Sequence, residues 1–222
     1  MNIDIASHLG AIARVVEDRE YQGHPVKVVV ASRAYDTSPD DLWNALTDPA
    51  RLKRWFAPVD GDLKLGGRFQ VKGNASGTIT ACVPQKSFSA TWEFGGTVSW
   101  INLAIEPTKA GGAHLTLEHL CPTSPHWDQF GPGAVGVGWE LGLLGLGMHT
   151  RSGAARDQFD EHAWGASDEG KQFVTDTGEG WIAADMAGGE SGANATTRGR
   201  ATIAFYRGEP PPGTQHPGTT DN

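Results

Sequence analysis

The chain has 222 residues, which is enough for one sizeable domain and short for two, and 38% of them are apolar. Its 26 acidic residues outnumber the 18 basic ones and give a net charge of −8, which argues against a nucleic-acid-binding surface built from clustered cations. The N-terminal stretch has no charged segment followed by a long apolar core, so no signal peptide is indicated and a cytoplasmic protein is expected.

Apolar residues recur at roughly helical spacing between residues 3 and 19, which predicts either an amphipathic N-terminal helix or an extended arm. Pro25 is expected to end this segment. Residues 26–35, VKVVVASRAY, are rich in β-branched side chains and predict the first strand.

Two short helices with clear start signals follow. Ser38 stands at the N-cap position of the first and Pro39 at its first helical position. Asp48 and Pro49 repeat the same arrangement for the second helix. The basic run at residues 51–54 is expected to lie on the solvated face of that helix.

Between residues 66 and 121 the period of the apolar residues changes to two, which predicts five short antiparallel strands. Alternation assigns one face of each strand to the interior, and residues 115, 117, 119 and 121 share such a face. The five segments are residues 66–73, 77–84, 86–94, 97–107 and 113–121.

A glycine-rich segment contains Gly131, Gly133 and Gly136 at the spacing of a dinucleotide-binding fingerprint. Such a loop must lie between a buried parallel strand and a helix, yet residues 125–130, PHWDQF, do not have a strand pattern. Pro132 also removes one backbone amide. We therefore predict a long helix from about Pro132 to residue 150, whose internal glycines let it lie close to the sheet or open space beneath it.

Residues 168–189 have a helical pattern, and residues 201–206, ATIAFY, either end a helix or form a short strand. Residues 208–222 are rich in Pro, Gly and Thr and are expected to be disordered. Residues 133–148 are too short and carry Glu140 in their middle, so no membrane span is predicted.

The order of these elements, together with five segments, makes the chain resemble the SRPBCC superfamily and, within it, bacterial proteins related to the activator of the heat-shock-protein-90 ATPase. The segments are ALTDPARLKRWF (45–56), GDLKLGGRFQV (61–71), TWEF (91–94), LTLEH (115–119) and GVGWELGLLGL (136–146). The resemblance implies an α+β helix-grip fold, in which a curved antiparallel sheet wraps around a long C-terminal helix and leaves a mostly apolar cavity between them. It does not imply a reaction.

This resemblance divides the chain into four parts. Residues 1–24 would be an N-terminal helix or arm, and residues 25–150 the helix-grip domain. Residues 151–207 would be an extra helical extension, and residues 208–222 a disordered tail. The extension could also fold over the cavity mouth as a lid.

Ten residues are candidates to line the cavity, by alternation on the strands and by their places on the helices. They are Trp55, Phe56, Trp92, Ile101, Leu103, Leu117, His119, Trp127, Trp139 and Leu143. For each apolar member the alternative is ordinary core packing.

His119 is the titratable candidate. It is either a core histidine satisfied by its surroundings or a group that binds a ligand or transfers a proton. His126 and Asp128 on the following loop are candidate partners.

No metal or cofactor is expected, because His114 and His119 face opposite sides of one strand and no ligand cluster has the spacing of a tetrahedral site. Glu140 is expected to point to solvent. Cys82 and Cys121 are expected to be a buried, reduced pair.

We predict a non-enzymatic carrier or sensor that binds a small hydrophobic or aromatic ligand. The alternatives are an enzyme similar to polyketide cyclases or dehydratases, with His119 as the acid or base, and a module that interacts with a chaperone. The expected partner is a small hydrophobic molecule, no nucleic acid and no membrane span are expected, and a homodimer is compatible with the sequence.

Overall fold

The structure, a computed structural model, describes residues 5–153 and 161–210. Eight antiparallel strands form one sheet in the order β1-β2-β8-β7-β6-β5-β4-β3. The strands are β1 (Ala13–Tyr21), β2 (His24–Tyr35), β3 (Val59–Gly61), β4 (Arg68–Val71), β5 (Ser76–Val83), β6 (Ser87–Phe94), β7 (Thr97–Pro107) and β8 (Ala113–Pro122).

Eight helices accompany the sheet within the described residues. They are α1 (Ile5–Ala11), α2 (Pro39–Thr47), α3 (Pro49–Trp55), α4 (Pro125–Phe130), α5 (Gly133–Ser152), α6 (Glu161–Ala166), α7 (Asp168–Ala187) and α8 (Gly192–Tyr206). The curved sheet packs around the long helix α5, so the predicted α+β helix-grip fold is confirmed. Of the helices described, none is long and apolar enough to cross a membrane.

The N-terminal segment, predicted as a helix or an extended arm, forms a short helix and then a strand of the sheet. Strand β1 pairs with β2 along its whole length, and Glu20 lies opposite Pro25. Pro25 therefore lies inside a strand, and the prediction that it ends the preceding segment is wrong. Strand β8 begins to pair with β2 only at Val26, so the missing amide of Pro25 removes no hydrogen bond to β8.

The two short helices begin as predicted. The Ser38 hydroxyl accepts a hydrogen bond from the Asp41 amide at 3.2 Å, and the Asp48 carboxylate accepts one from the Ala50 amide at 2.8 Å. The predicted solvated basic face is wrong for Arg51, whose guanidinium lies 2.7 Å from the Asp41 carboxylate and donates to His149 Nε2 at 3.1 Å.

Helix α5 has Pro132 at its N-cap and ends before Gly153, which has a left-handed conformation with φ of 65°. Several of its glycines allow other helices to approach it. A Cβ atom on Gly136 would lie 2.3 Å from the Trp181 ring of α7, and one on Gly133 would lie 2.9 Å from the Thr202 methyl of α8. These two glycines thus serve packing against the C-terminal helices rather than against the sheet.

Helices α7 and α8 cover the outer side of α5, α7 also contacts β1, and residues 201–206 are helical. This packing buries Glu140 completely, so the prediction that it points to solvent is wrong. Its carboxylate receives two hydrogen bonds from Arg14 of β1, at 2.7 and 2.6 Å. Burial raises the pKa of Glu140, while Arg14 acts in the opposite direction. Most of the predicted disordered tail, residues 211–222, lies outside the described residues.

A candidate apolar ligand cavity

A cavity of about 360 Å³ lies between the inner face of the sheet, the α2–α3 pair and helix α5. Strands β5, β6 and β7 contribute one side of it, and the ends of α2 and α3 contribute another. Its lining residues are Trp43, Leu46, Thr47, Leu52, Trp55, Phe56, Val59, Leu63, Lys64, Phe69, Val71, Ile79, Cys82, Pro84, Phe88, Ala90, Trp92, Ile101, Leu103 and Trp139. We call it the inner cavity.

Aromatic rings in mutual contact form much of the inner cavity wall. Trp92 and Trp139 have ring centroids 5.1 Å apart, and Phe56 stacks on Trp139 at 6.2 Å with an interplanar angle of 14°. Trp43 meets Phe88 edge-on at 6.2 Å. Rings held by one another lose little further freedom when a flat molecule packs against them.

Two of the indole groups in this wall form their hydrogen bonds within the protein. Trp55 Nε1 donates to the Ala45 carbonyl at 2.9 Å, and Trp139 Nε1 donates to His119 Nδ1 at 3.0 Å. Because these polar atoms are satisfied inside the protein, the rings contribute apolar surface to the cavity.

His119 is part of a hydrogen-bonded chain behind the wall. Its Nδ1 accepts from Trp139, so its Nε2 carries the proton and donates to the Ser99 hydroxyl at 2.8 Å. Ser99 in turn donates to the Trp92 carbonyl at 3.0 Å. Burial lowers the pKa of His119 to about 4, and the chain of donors and acceptors fits the neutral imidazole.

The structure brings six of the ten predicted residues together in the lining: Trp55, Phe56, Trp92, Ile101, Leu103 and Trp139. Leu117 and Leu143 are buried in the main core, as is Trp127 of α4. His119 lies behind Trp139 rather than in the lining.

The candidate partners of His119 lie elsewhere. The ring of His126 contacts Phe130 at 4.9 Å, and Asp128 lies 3.8 Å from Arg198. The actual partners, Ser99 and Trp139, are each twenty positions away from His119 and on different elements. The sequence contains no spacing that would reveal such contacts.

Sequence reasoning also missed lining residues on α2, β4 and β5. Trp43 belongs to the apolar stripe of α2, and Phe69 is an inward residue of β4, so the periodicity of apolar residues could have identified both.

The prediction that both cysteines are buried is wrong for Cys82. It is half-buried and lines the cavity, whereas Cys121 is 8% exposed and burial raises its pKa to about 12.

Among the residues that the structure describes, no group of three His, Cys, Asp or Glu side chains is arranged to hold a metal ion. His114 lies opposite Ala34 and Glu106 in the β-sheet register, on the other face from His119.

Comparison with known proteins gives the family. Residues 36–144 match the family model described as Activator of Hsp90 ATPase homolog 1-like protein. The crystal structure of CalU16 from Micromonospora echinospora is 31% identical over 78% of this chain and 98% of that chain, with a TM-score of 0.65. The chain belongs to this family.

The solution structure of CalU16 from the same organism is 32% identical over 80% of this chain and 97% of that chain, with a TM-score of 0.67. DynU16, a protein of the dynemicin biosynthetic locus, is 19% identical over 58% of this chain and 48% of that chain. Its TM-score of 0.51 shows a shared fold alone. Among curated proteins, none matches the chain. The resemblance stated from the sequence is confirmed.

Proposed function

We propose that the protein is a non-enzymatic carrier or sensor that binds a flat apolar or aromatic small molecule in the inner cavity. The observation that carries this proposal is the lining itself, in which seven aromatic side chains surround about 360 Å³. That volume is within the range of small-molecule sites, roughly 300–1,000 Å³. Burial of the ligand against these rings would supply most of the binding free energy.

Few polar groups are available to orient the ligand. Among the lining residues, the Thr47 hydroxyl donates to the Trp43 carbonyl at 2.8 Å, and the Lys64 ammonium lies 2.9 Å from Asp62. A ligand with several charged groups would lose hydration without gaining equivalent partners. The chemical class favoured is therefore a fused or linked aromatic system, or a compact aliphatic one, with at most one polar end.

Membership of this family is compatible with either a ligand-binding or a cyclase-like role. His119 would be the acid or base in the second case, but both its ring nitrogens are engaged by Trp139 and Ser99. Proton transfer to a ligand would require at least one of these bonds to break. The hydrogen bond to Trp139 instead supports a positioning role, in which His119 fixes the orientation of an indole ring in the wall.

The chaperone-interaction hypothesis makes a separate prediction. A partner that binds the protein surface would still be captured after the inner cavity is filled, whereas a small-molecule carrier would lose its function.

The binding proposal is tested by fluorescence titration with N-phenylnaphthylamine, an uncharged aromatic probe. Cys82→Trp places a bulky side chain in the cavity, and we expect it to weaken probe binding by about tenfold or more. The matched control is Val83→Trp, because Val83 is the next residue of β5, is 51% exposed and does not line the cavity. The control should bind the probe as the unchanged protein does.

Absence of saturable binding to the unchanged protein would overturn the proposal. Equal weakening by both substitutions would also contradict it, since the effect would then not depend on the cavity. Circular dichroism of both variants confirms that they are folded before their affinities are compared.

A further inference from the structure

A second cavity, of about 480 Å³, lies between helix α5 and the C-terminal extension. It shares Trp55, Phe56 and Val71 with the inner cavity, so these three residues form a common wall. The remaining lining comes from the end of α3, the β4–β5 turn, one face of α5, helices α6 and α7, and Tyr206 of α8. We call it the outer cavity.

Three glycines of α5 form one side of the outer cavity. Gly138, Gly142 and Gly145 recur at helical spacing and therefore lie on one face of the helix. A Cβ atom on Gly142 would make only ordinary contacts, at 3.8 Å from Phe56 and 3.9 Å from Trp55. Protein packing thus does not require glycine at this position, although glycine is unfavourable inside a helix. The absent side chain of Gly142 therefore leaves space in the cavity, whereas a Cβ atom on Gly138 would lie 2.9 Å from the Tyr206 hydroxyl and one on Gly145 would lie 2.8 Å from the Trp55 carbonyl.

The two charged side chains that line the outer cavity are both cationic, and one of them, Arg54, also donates a hydrogen bond to the Gly153 carbonyl at 2.5 Å. Arg54 and Lys72 are both exposed residues that line it, and none of its described lining residues is Asp or Glu. The Glu169 carboxylate lies nearby, but it accepts a hydrogen bond from Trp164 Nε1 at 2.8 Å.

The apolar part of the lining lies between these cations and the glycine face. It includes the side chains of Leu141, Leu144, Met148, Trp164 and Val174. The cavity therefore offers an apolar surface for a hydrophobic body and positive charge for one end of a ligand, which is the pattern that an amphipathic anion fits.

We propose that the outer cavity is a second binding site, for an amphipathic anion with a flat aromatic or acyl body and a terminal carboxylate, sulfonate or phosphate. The site is distinct from the inner cavity, which has no comparable pair of cations. Arg54 and Lys72 attract the anionic end, while the glycine face of α5 accommodates the body.

Two probes with the same aromatic body separate the two sites. Anilinonaphthalenesulfonate carries a sulfonate, whereas N-phenylnaphthylamine is uncharged. The titrations are done in the Cys82→Trp background, in which the inner cavity is filled, as well as in the unchanged protein. We expect the anionic probe to retain one saturable site in that background.

Charge reversal then tests the cations. The double change Arg54→Glu and Lys72→Glu should weaken the anionic probe by roughly tenfold at low salt, because two partly exposed attractions become repulsions. In the protein that retains Cys82, whose inner cavity is open, the same double change should leave the affinity for the uncharged probe unchanged. The matched control is Lys53→Glu with Lys86→Glu, which changes the net charge equally at exposed lysines that line neither cavity.

Gly142→Leu tests the glycine face, since its side chain would extend into the outer cavity, and it should also weaken binding of the anionic probe.

Equal loss of affinity in the control and in the Arg54 and Lys72 double variant would overturn the proposal, because only net charge would then matter. Failure of the uncharged probe to bind the inner cavity would refute the proposed function but leave this inference standing.

Discussion

His119 shows at the scale of one residue how a buried titratable group can be structural. Alternation along β8 correctly predicted that it faces inward with Leu115 and Leu117, because side chains two apart share a face of a strand. Alternation could not predict what it touches, since Ser99 and Trp139 come close only after β7 and α5 have packed.

This environment predicts a pH dependence of stability. Burial lowers the pKa of His119 to about 4 from its ordinary value of 6.5. Between these values the unfolded chain binds a proton that the folded chain excludes, so the free energy of unfolding falls as pH falls, by about 1.4 kcal/mol per pH unit. Above pH 6.5 the contribution is fully present.

Urea unfolding of the unchanged protein and of His119→Gln measures this effect. Glutamine can still accept from Trp139 and donate to Ser99 but does not titrate. From pH 7.5 to pH 5 the variant should lose about 2 kcal/mol less stability than the unchanged protein. His8, whose pKa burial lowers to about 3, is present in both proteins and cancels in the comparison. Parallel pH profiles would contradict the assignment.

At the scale of elements, the sequence predicted the short helices α2 and α3 better than it predicted strand β1. The caps at Ser38 and Asp48 mark α2 and α3 through local hydrogen bonds, which depend on neighbouring residues alone. Strand β1 was missed because five of its nine residues are charged, and its stability comes from pairing with β2. Ion pairs such as Lys27 with Asp18, at 2.7 Å, lie across strands and have no local signature.

The glycines of α5 allow a matched prediction on one helix. Gly142→Ala should raise the free energy of unfolding by up to about 1 kcal/mol, because alanine favours the helix and its methyl group meets no close contact. Gly136→Ala should instead lower it by about 1–3 kcal/mol, because its methyl group would overlap the Trp181 ring. Thermal and urea unfolding measure both changes. Equal effects at the two positions would show that close packing with α7 is not the reason for Gly136.

At the scale of the whole molecule, the resemblance correctly predicted the helix-grip fold and the cavity between sheet and long helix. It gave no role to the C-terminal extension. The described residues 161–210 do not line the inner cavity, so this part of the extension does not act as its lid in this structure. Instead α7 and α8 pack on the outer side of α5, where Trp181 and Phe173 are buried. The glycine spacing that resembles a nucleotide-binding motif reflects this packing.

The most direct test of ligand binding in the inner cavity is alkylation of Cys82 by iodoacetamide, followed by intact-protein and peptide mass spectrometry. Cys121 is buried and provides an internal control that should stay unmodified in the folded protein. With N-phenylnaphthylamine at about ten times its Kd, only about a tenth of the molecules remain empty, so alkylation of Cys82 should slow about tenfold. An unchanged rate at saturating probe would place the ligand elsewhere and contradict the account.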